Sequence, residues 1–485
     1  MVSCCQFPPE TAHCIWAAAD EANAGEGSCY SLPLLVLILV LVSGACFGQI
    51  RAGAARRVIT PDLVRHAPIY LAGFDNNRVA TGVHDDLFAR CLALAAGQPP
   101  LVICGVDSIG LFLEDVERIR AGVLERTGGE VNVIVAATHN HQTPDTMGLW
   151  GPKPGMSGIN EEYNRFVVER TAEAAVEAVS SMRPAMIVAA TKKSAELAGF
   201  LNDTRPPVVL DPDLMVLSAK GRDGRAIGTL VNWANHPEAL GAKNTLITAD
   251  YLASFYARLE ELGGGVAVFV NGAIGGMQSP LGAKVIDPET GRAAPENSFR
   301  MAEIIGRRVA ELAFEVARGA KTAAIDRIEF REKRIEVPVA NLGYRMAAKA
   351  DVFKGRKPMN ANWTTSTLVG FVRMSHGRRP LLEIALVPGE LYPELSRGGV
   401  RRYSGADYPG APIEPAIKGM MKAPHRMLFG LANDEIGYII PKAEWDKKAP
   451  FLQNSQKRWY GEINSTGPEA APLIIGTIRE LAGLQ

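Results

Sequence analysis

From about residue 55 onward the chain alternates short apolar runs with longer stretches whose apolar residues recur every three or four positions. The short runs predict strands at Leu101 to Val106, Val131 to Ala137, Ala226 to Trp233, Val266 to Val270, Leu381 to Val387 and Met427 to Leu431. Gln98-Pro99-Pro100 reads as the turn that introduces the first of them. The longer stretches, Phe112 to Arg126, Glu161 to Ser181, Asp250 to Leu262 and Phe299 to Gly319, carry one apolar stripe each and predict helices. A last helix is expected to start near Pro472 and reach Leu484. Alternation of this kind indicates an α/β architecture with at least one largely buried sheet. No internal repeat interrupts it. Residues 320 to 380 are more polar and irregular, and the expectation there is a subdomain or lid.

The first fifty residues break the pattern. They contain no Lys or Arg, and Leu32 to Val42 is an almost unbroken apolar run ending in Ser43-Gly44-Ala45-Cys46-Phe47-Gly48. A run of that length followed by small residues reads as a signal-peptide core with its cleavage region. It is short of the roughly 20 residues a transmembrane helix needs. Arg51, Arg56 and Arg57 just after it favour an inverted anchor by the positive-inside rule, so a cleaved signal and an anchor both stay open. The apolar core and the small residues lead to the expectation of export, against those flanking charges, with residues 1–50 as leader and 51–485 as the folded domain. Five of the seven cysteines fall in the leader, and Cys91 and Cys104 are expected to be buried reduced thiols. Lys plus Arg (52) balances Asp plus Glu (52), which argues against a nucleic-acid partner, because that would need a basic footprint.

Chemistry concentrates where the strands end. The 131–137 strand runs into Thr138-His139-Asn140-His141, the 226–233 strand into Asn235-His236-Pro237-Glu238, and the 381–387 strand into Pro388-Gly389-Glu390. The 266–270 strand runs into Asn271-Gly272-Ala273, and the 101–106 strand ends in Asp107-Ser108. Open α/β sheets bind ligands beyond the carboxyl ends of their strands. In an extended backbone His139 and His141 would share a face and could approach one centre. Imidazoles suit zinc, but an isolated His-x-His or a lone His236 is also compatible with plain structural hydrogen bonding. No thiolate pattern and no HExxH motif is present. The residues alone lead to a cleft lined by His, Asp and Glu, and no further.

Five segments, in order, resemble the neutral/alkaline non-lysosomal ceramidases. They are ITPDLVRHAPIYLAGF with GVHDDLFAR, ATHNHQTPD, NWANHPEAL, FVNGAIGG, and VPGE with GLANDEIGYIIP, spanning about residues 57 to 465. The resemblance implies an α/β fold with a single large catalytic domain of mixed β-sheets flanked by helices, its ligand loops at the strand C-terminal ends. It implies Zn²⁺ on His139, His236, Glu390 and Tyr438, and hydrolysis of the amide bond of an N-acyl amine, with a ceramide-like lipid as the default substrate. His141 would shuttle a proton, Arg205 would stabilise the oxyanion, and Tyr460 would be a second active-site tyrosine. For Arg205 a surface salt bridge is the competing reading. Asp107 and Asp250 would orient the histidines by hydrogen-bonding them from behind, with capping or turn roles as the alternative. Membrane-surface association would accompany a lipid substrate.

Two departures from the family pattern bear on substrate. Gly272 stands in the loop where the family carries a serine often considered catalytic, and Ser279 lies further along and is not expected to replace it. The chain is also expected to lack the family's C-terminal immunoglobulin-like domain. A zinc hydrolase of another amide or ester, and a non-catalytic binding homologue, therefore remain as alternatives.

Overall fold

A computed structural model of the protein describes residues 50–97 and 99–484. Residues 1–49 of the expected leader with its five cysteines, Gln98 and Gln485 lie outside the described residues. An eight-stranded sheet runs in the order β10-β8-β7-β6-β1-β3-β4-β5. Its strands are β1 (Arg51–Val58), β3 (Phe88–Ala95), β4 (Leu101–Val106), β5 (Asn132–Ala137), β6 (Arg183–Lys193), β7 (Asp213–Gly221), β8 (Ala226–Trp233) and β10 (Val266–Asn271). The outer pairs, β10 with β8 and β4 with β5, are parallel, and the inner pairs are antiparallel. A second sheet runs β11-β12-β13-β15, formed by Arg327–Pro338, Thr364–His376, Arg379–Leu386 and His425–Phe429. Two short parallel pairs complete the set: β2 (Gly82–Val83) with β9 (Leu246–Ile247), and β14 (Glu390–Leu391) with β16 (Tyr438–Ile439).

The strands legible in the sequence are those buried on both faces. Along β4, Val102, Cys104 and Val106 point into one core cluster while Leu101 and Ile103 point into another. Period-two alternation of this sort, apolar on both sides, is what a sheet covered on both faces requires. The first cluster is shared with four helices: α1 (Leu113–Thr127), α2 (Glu161–Ser180), α3 (Tyr251–Glu261) and α4 (Phe299–Gly319). The second cluster is shared with the inner face of the second sheet, through Val372, Ile384, Leu386, Met427 and Phe429. The outer face of that sheet packs on α6 (Ala470–Leu481) through Ile474, Ile475 and Ile478. The layers are thus helices, sheet, sheet, helix, in one large α/β domain with mixed sheets.

Two expectations need correction. Residues 320–380 are not a separate subdomain or lid: they carry β11 and β12, a 12-residue and a 13-residue strand paired along their length within the second sheet. The polar look comes from β11, an edge strand with Arg, Glu and Lys on its open side. The Cys91 and Cys104 thiols are not separate but joined as a disulfide. The antiparallel register of β3 and β4 sets them directly opposite each other, with Cα atoms 4.1 Å apart.

Candidate metal and catalytic site

His139, His141 and His236 are buried and offer ring nitrogens within 4.8 Å of one another, so the group can hold a metal ion. The chain brings them together by fastening three strand ends. The Asn271 amide donates to the Thr138 carbonyl and its oxygen accepts from the Asn235 N–H, tying the loops after β5 and β8 to the end of β10. The His141 N–H donates to the Pro237 carbonyl, joining the same two loops again. Buried Arg78 braces the first loop by donating to the carbonyls of Ala72 and His141 and to the Gln142 side chain. The two histidines of His-x-His are not aligned by a strand pleat. His139 sits at φ +61°, outside β5, and a left-handed turn brings the two rings to 5.0 Å between centroids. A non-glycine residue held there costs on the order of 1–3 kcal/mol, a strain typical of functional sites.

The ring orientations are fixed from behind. His139 Nδ1 lies 2.7 Å from the Ile109 carbonyl, and His236 Nδ1 lies 2.7 Å from the Gln278 carbonyl. A carbonyl only accepts, so in both rings the proton is on Nδ1 and the lone pair is on Nε2. Those Nε2 atoms face the same carboxylate oxygen, Glu390 Oε2, at 3.4 and 3.2 Å. Glu390 arrives through the parallel β14–β16 pair, whose register places it opposite Tyr438; the Tyr438 hydroxyl donates to Met277 Sδ and interacts with the Glu390 carboxylate. Burial takes the His139 imidazolium down to about 4, against the pull of Glu390. At His236 burial also opposes the charge, but the Glu390 hydrogen bond with the charges of Glu238 and Glu390 outweighs it, and the pKa is raised. With the protons on Nδ1, the two Nε2 atoms and the Glu390 carboxylate could hold a cation between them. Two imidazoles, a carboxylate and a phenol are donors that suit zinc.

His141 is held differently. Its Nδ1 lies 3.1 Å from Glu238 Oε2, off the hydrogen-bond axis, and its Nε2 is buried without a partner. Gly73 and Phe74 pack against the ring. A Cβ on Gly73 would fall 2.3 Å from His141 Cγ, and the Phe74 ring is 4.9 Å away. Burial, followed by His139 and His236, pushes His141 well below the usual imidazole range, so it stays neutral. Glu238, on the HPE turn, faces His141 from the far side and is itself pushed up by burial.

These groups line a cavity of about 310 Å³. His139, His141, Glu390, Tyr438 and Tyr460 all reach it, the last with its ring 5.8 Å from Tyr438. Phe74, Trp150, Met277 and Tyr344 supply apolar wall, while Glu238 and Glu435 add carboxyl groups. None of these six carried a role in the sequence reading; only Glu238 had a signal, two residues past His236 in the same loop. His236 stands behind the wall, fully buried.

Other expected site residues lie elsewhere. Arg205 does not line the cavity: its guanidinium donates to Glu462 and to the Glu444 carbonyl and lies 5.0 Å over the Tyr392 ring. Its surroundings match the ion-pair reading, although the pair is buried rather than on the surface. Asp107 touches no histidine; it accepts from the Phe88 N–H and the Tyr256 hydroxyl. Asp250 accepts the N–H groups of Ala239, Leu240 and Tyr251, so it holds the turn after His236 and caps α3 instead of touching an imidazole. Asn271 works through the backbone as described. Gly272 is packed beneath the site, where a Cβ would sit 3.0 Å from that of Ala234, so neither residue forms a substrate loop at the cavity.

Two solved structures share this architecture. The crystal structure of neutral ceramidase from Pseudomonas aeruginosa matches with a TM-score of 0.68 and 17% identity, covering 90% of this chain and 74% of that one. A ceramidase complexed with C2 matches with the same score and identity, covering 90% of this chain and 75% of its own. No family model and no curated protein matches the chain. The protein is therefore built on the neutral ceramidase fold.

Proposed function

We propose that the protein is a zinc-dependent amidohydrolase that cleaves the amide bond of an N-acyl amine, with a ceramide-like lipid as the substrate class. The observation that carries this reading is the convergence of His139 Nε2 and His236 Nε2 on Glu390, each ring locked by a backbone carbonyl. The fold shared with two ceramidases supports the choice of an amide bond. His139, His236, Glu390 and Tyr438 would hold the metal, which when bound would supply Lewis acidity and a water of lowered pKa. His141, neutral and with Nε2 free, would take the proton that the attacking water loses and pass it to the departing amine. Glu238 would steady the imidazolium that forms by facing its Nδ1. Tyr460, half exposed at the cavity, would donate its hydroxyl to a substrate oxygen. Phe74, Trp150 and Met277 would exclude water from the reacting centre. The disulfide between Cys91 and Cys104 supports an exported protein, since such bonds persist in oxidising compartments.

The test is hydrolysis of a panel containing ceramide and water-soluble N-acyl amines, measured as released amine, for the parent and Glu238→Gln. The parent should cleave amides. Glu238→Gln should lower kcat by about 10–100-fold with KM kept, the usual cost of losing an outer partner of a catalytic histidine. A folded, metal-loaded parent that cleaves no member of the panel contradicts the proposal.

A further inference from the structure

One surface near the cavity is apolar, exposed and flanked by unpaired cations. Helix α5 (Leu342–Lys349) is capped by Asn341, whose side chain accepts from Gly343 and Tyr344, yet it buries none of its own residues. Leu342 and Met346, one turn apart on one face, are 66% and 65% exposed. Ile463 (48%) and Tyr460 (51%) extend the apolar area along the neighbouring segment. Leu342, Met346 and Ile463 line one groove of about 680 Å³, together with Lys447 and Arg458. That groove shares the walls Leu149, Tyr344 and Asn464 with the catalytic cavity.

Charge follows the same border. Lys447, Lys448, Lys457 and Arg458 fall in a stretch that holds no Asp or Glu between residues 447 and 461. Among the described residues none of these four side chains forms an ion pair. Isolated exposed apolar side chains are ordinary, but several in one groove beside a reactive cavity mark an interaction site. The combination of apolar side chains with unpaired Lys and Arg is what binds the headgroup boundary of an anionic bilayer. Volume points the same way. Ligand pockets run from about 300 to 1,000 Å³, so a cavity at the lower limit holds a reacting head while long chains must lie outside it.

We infer that the face formed by α5 and residues 447–463 docks on an anionic lipid surface, setting the mouth of the cavity against the bilayer. The purpose of this surface rests on the lipid-amide reading; its existence does not. The test is co-sedimentation of the full chain with vesicles of phosphatidylcholine alone or mixed with phosphatidylglycerol. The variants are Leu342→Glu with Met346→Glu, Lys457→Glu with Arg458→Glu, and His236→Ala. The parent should favour the phosphatidylglycerol vesicles, and each double variant should lose on the order of tenfold in partitioning. The first double variant should keep the parent's circular dichroism and its hydrolysis of a soluble short-chain amide. His236→Ala should sediment like the parent while losing hydrolysis. Undiminished sedimentation of Leu342→Glu with Met346→Glu overturns the inference, because the leader or another surface would then be holding the protein. A parent that ignores both kinds of vesicle overturns it as well. If the parent sediments as expected but cleaves no amide, the docking surface stands and the enzymatic reading falls.

Discussion

Asp250 illustrates how one buried carboxyl shapes the site without touching it. It stands at φ +55° and collects three backbone N–H groups, two from the turn that follows His236 and one from the start of α3. Burial, against those hydrogen bonds, pushes its pKa up to about 7 from 3.8. Between about pH 4 and 7 the folded protein therefore binds more protons here than the unfolded chain does. The contribution of this group to stability is greatest below pH 4 and declines by a few kcal/mol as pH rises to 7. Asp250→Asn should remove that decline, which denaturant titrations at several pH values would reveal. An unchanged slope would show that Asp250 is ionised in the folded protein across the window. The sequence allows two roles for this residue, capping a helix and orienting a histidine. The position before a helix was readable, whereas the reach back to Ala239 and Leu240 depends on a turn that periodicity does not encode.

At the scale of elements, legibility followed burial. Strands β4, β5, β8 and β10 are apolar on both faces and stood out as runs of branched residues. β1, with the sequence RAGAARRV, carries no such signal; its role is to admit α2, since a Cβ on Gly53 would fall 2.1 Å from the Ala178 carbonyl oxygen. The candidate site does gather at strand ends, but no pleat aligns His139 and His141, because a left-handed turn orients them. Gly272 yields a prediction at this scale. Its α-carbon lies against Ala234, and its carbonyl is packed where a Cβ on Gly430 would fall, 2.5 Å away. Gly272→Ser should therefore leave amide hydrolysis no higher than in the parent and cost about 1–3 kcal/mol from overpacking. A gain in activity would mean that the loop after β10 turns toward the cavity after all.

Across the whole molecule, the site joins residues more than 250 positions apart, and only the fold could show how. His139 and His236 come from the large sheet, while Glu390 and Tyr438 are delivered by a two-residue parallel pair beyond the second sheet. The resemblance in sequence motifs named these four residues together. Local reading could not, since β14 and β16 are two residues long and carry no periodic signal. Arg205 shows the opposite case. It is a conspicuous arginine in a loop, and its partners Glu462 and Glu444 lie more than 230 residues away, out of reach of any local argument.

The account stands on His139, His236 and Glu390 being a metal centre. The most direct measurement is zinc content by elemental analysis of the purified full chain, alongside His236→Ala and Asp107→Asn. The parent should carry one zinc per chain and Asp107→Asn should keep it, since the Asp107 carboxylate accepts from Phe88 and Tyr256 and not from a histidine. His236→Ala should lose it. A folded parent that takes up no stoichiometric divalent metal, or His236→Ala retaining full zinc, would contradict the ligand set and with it the proposed chemistry.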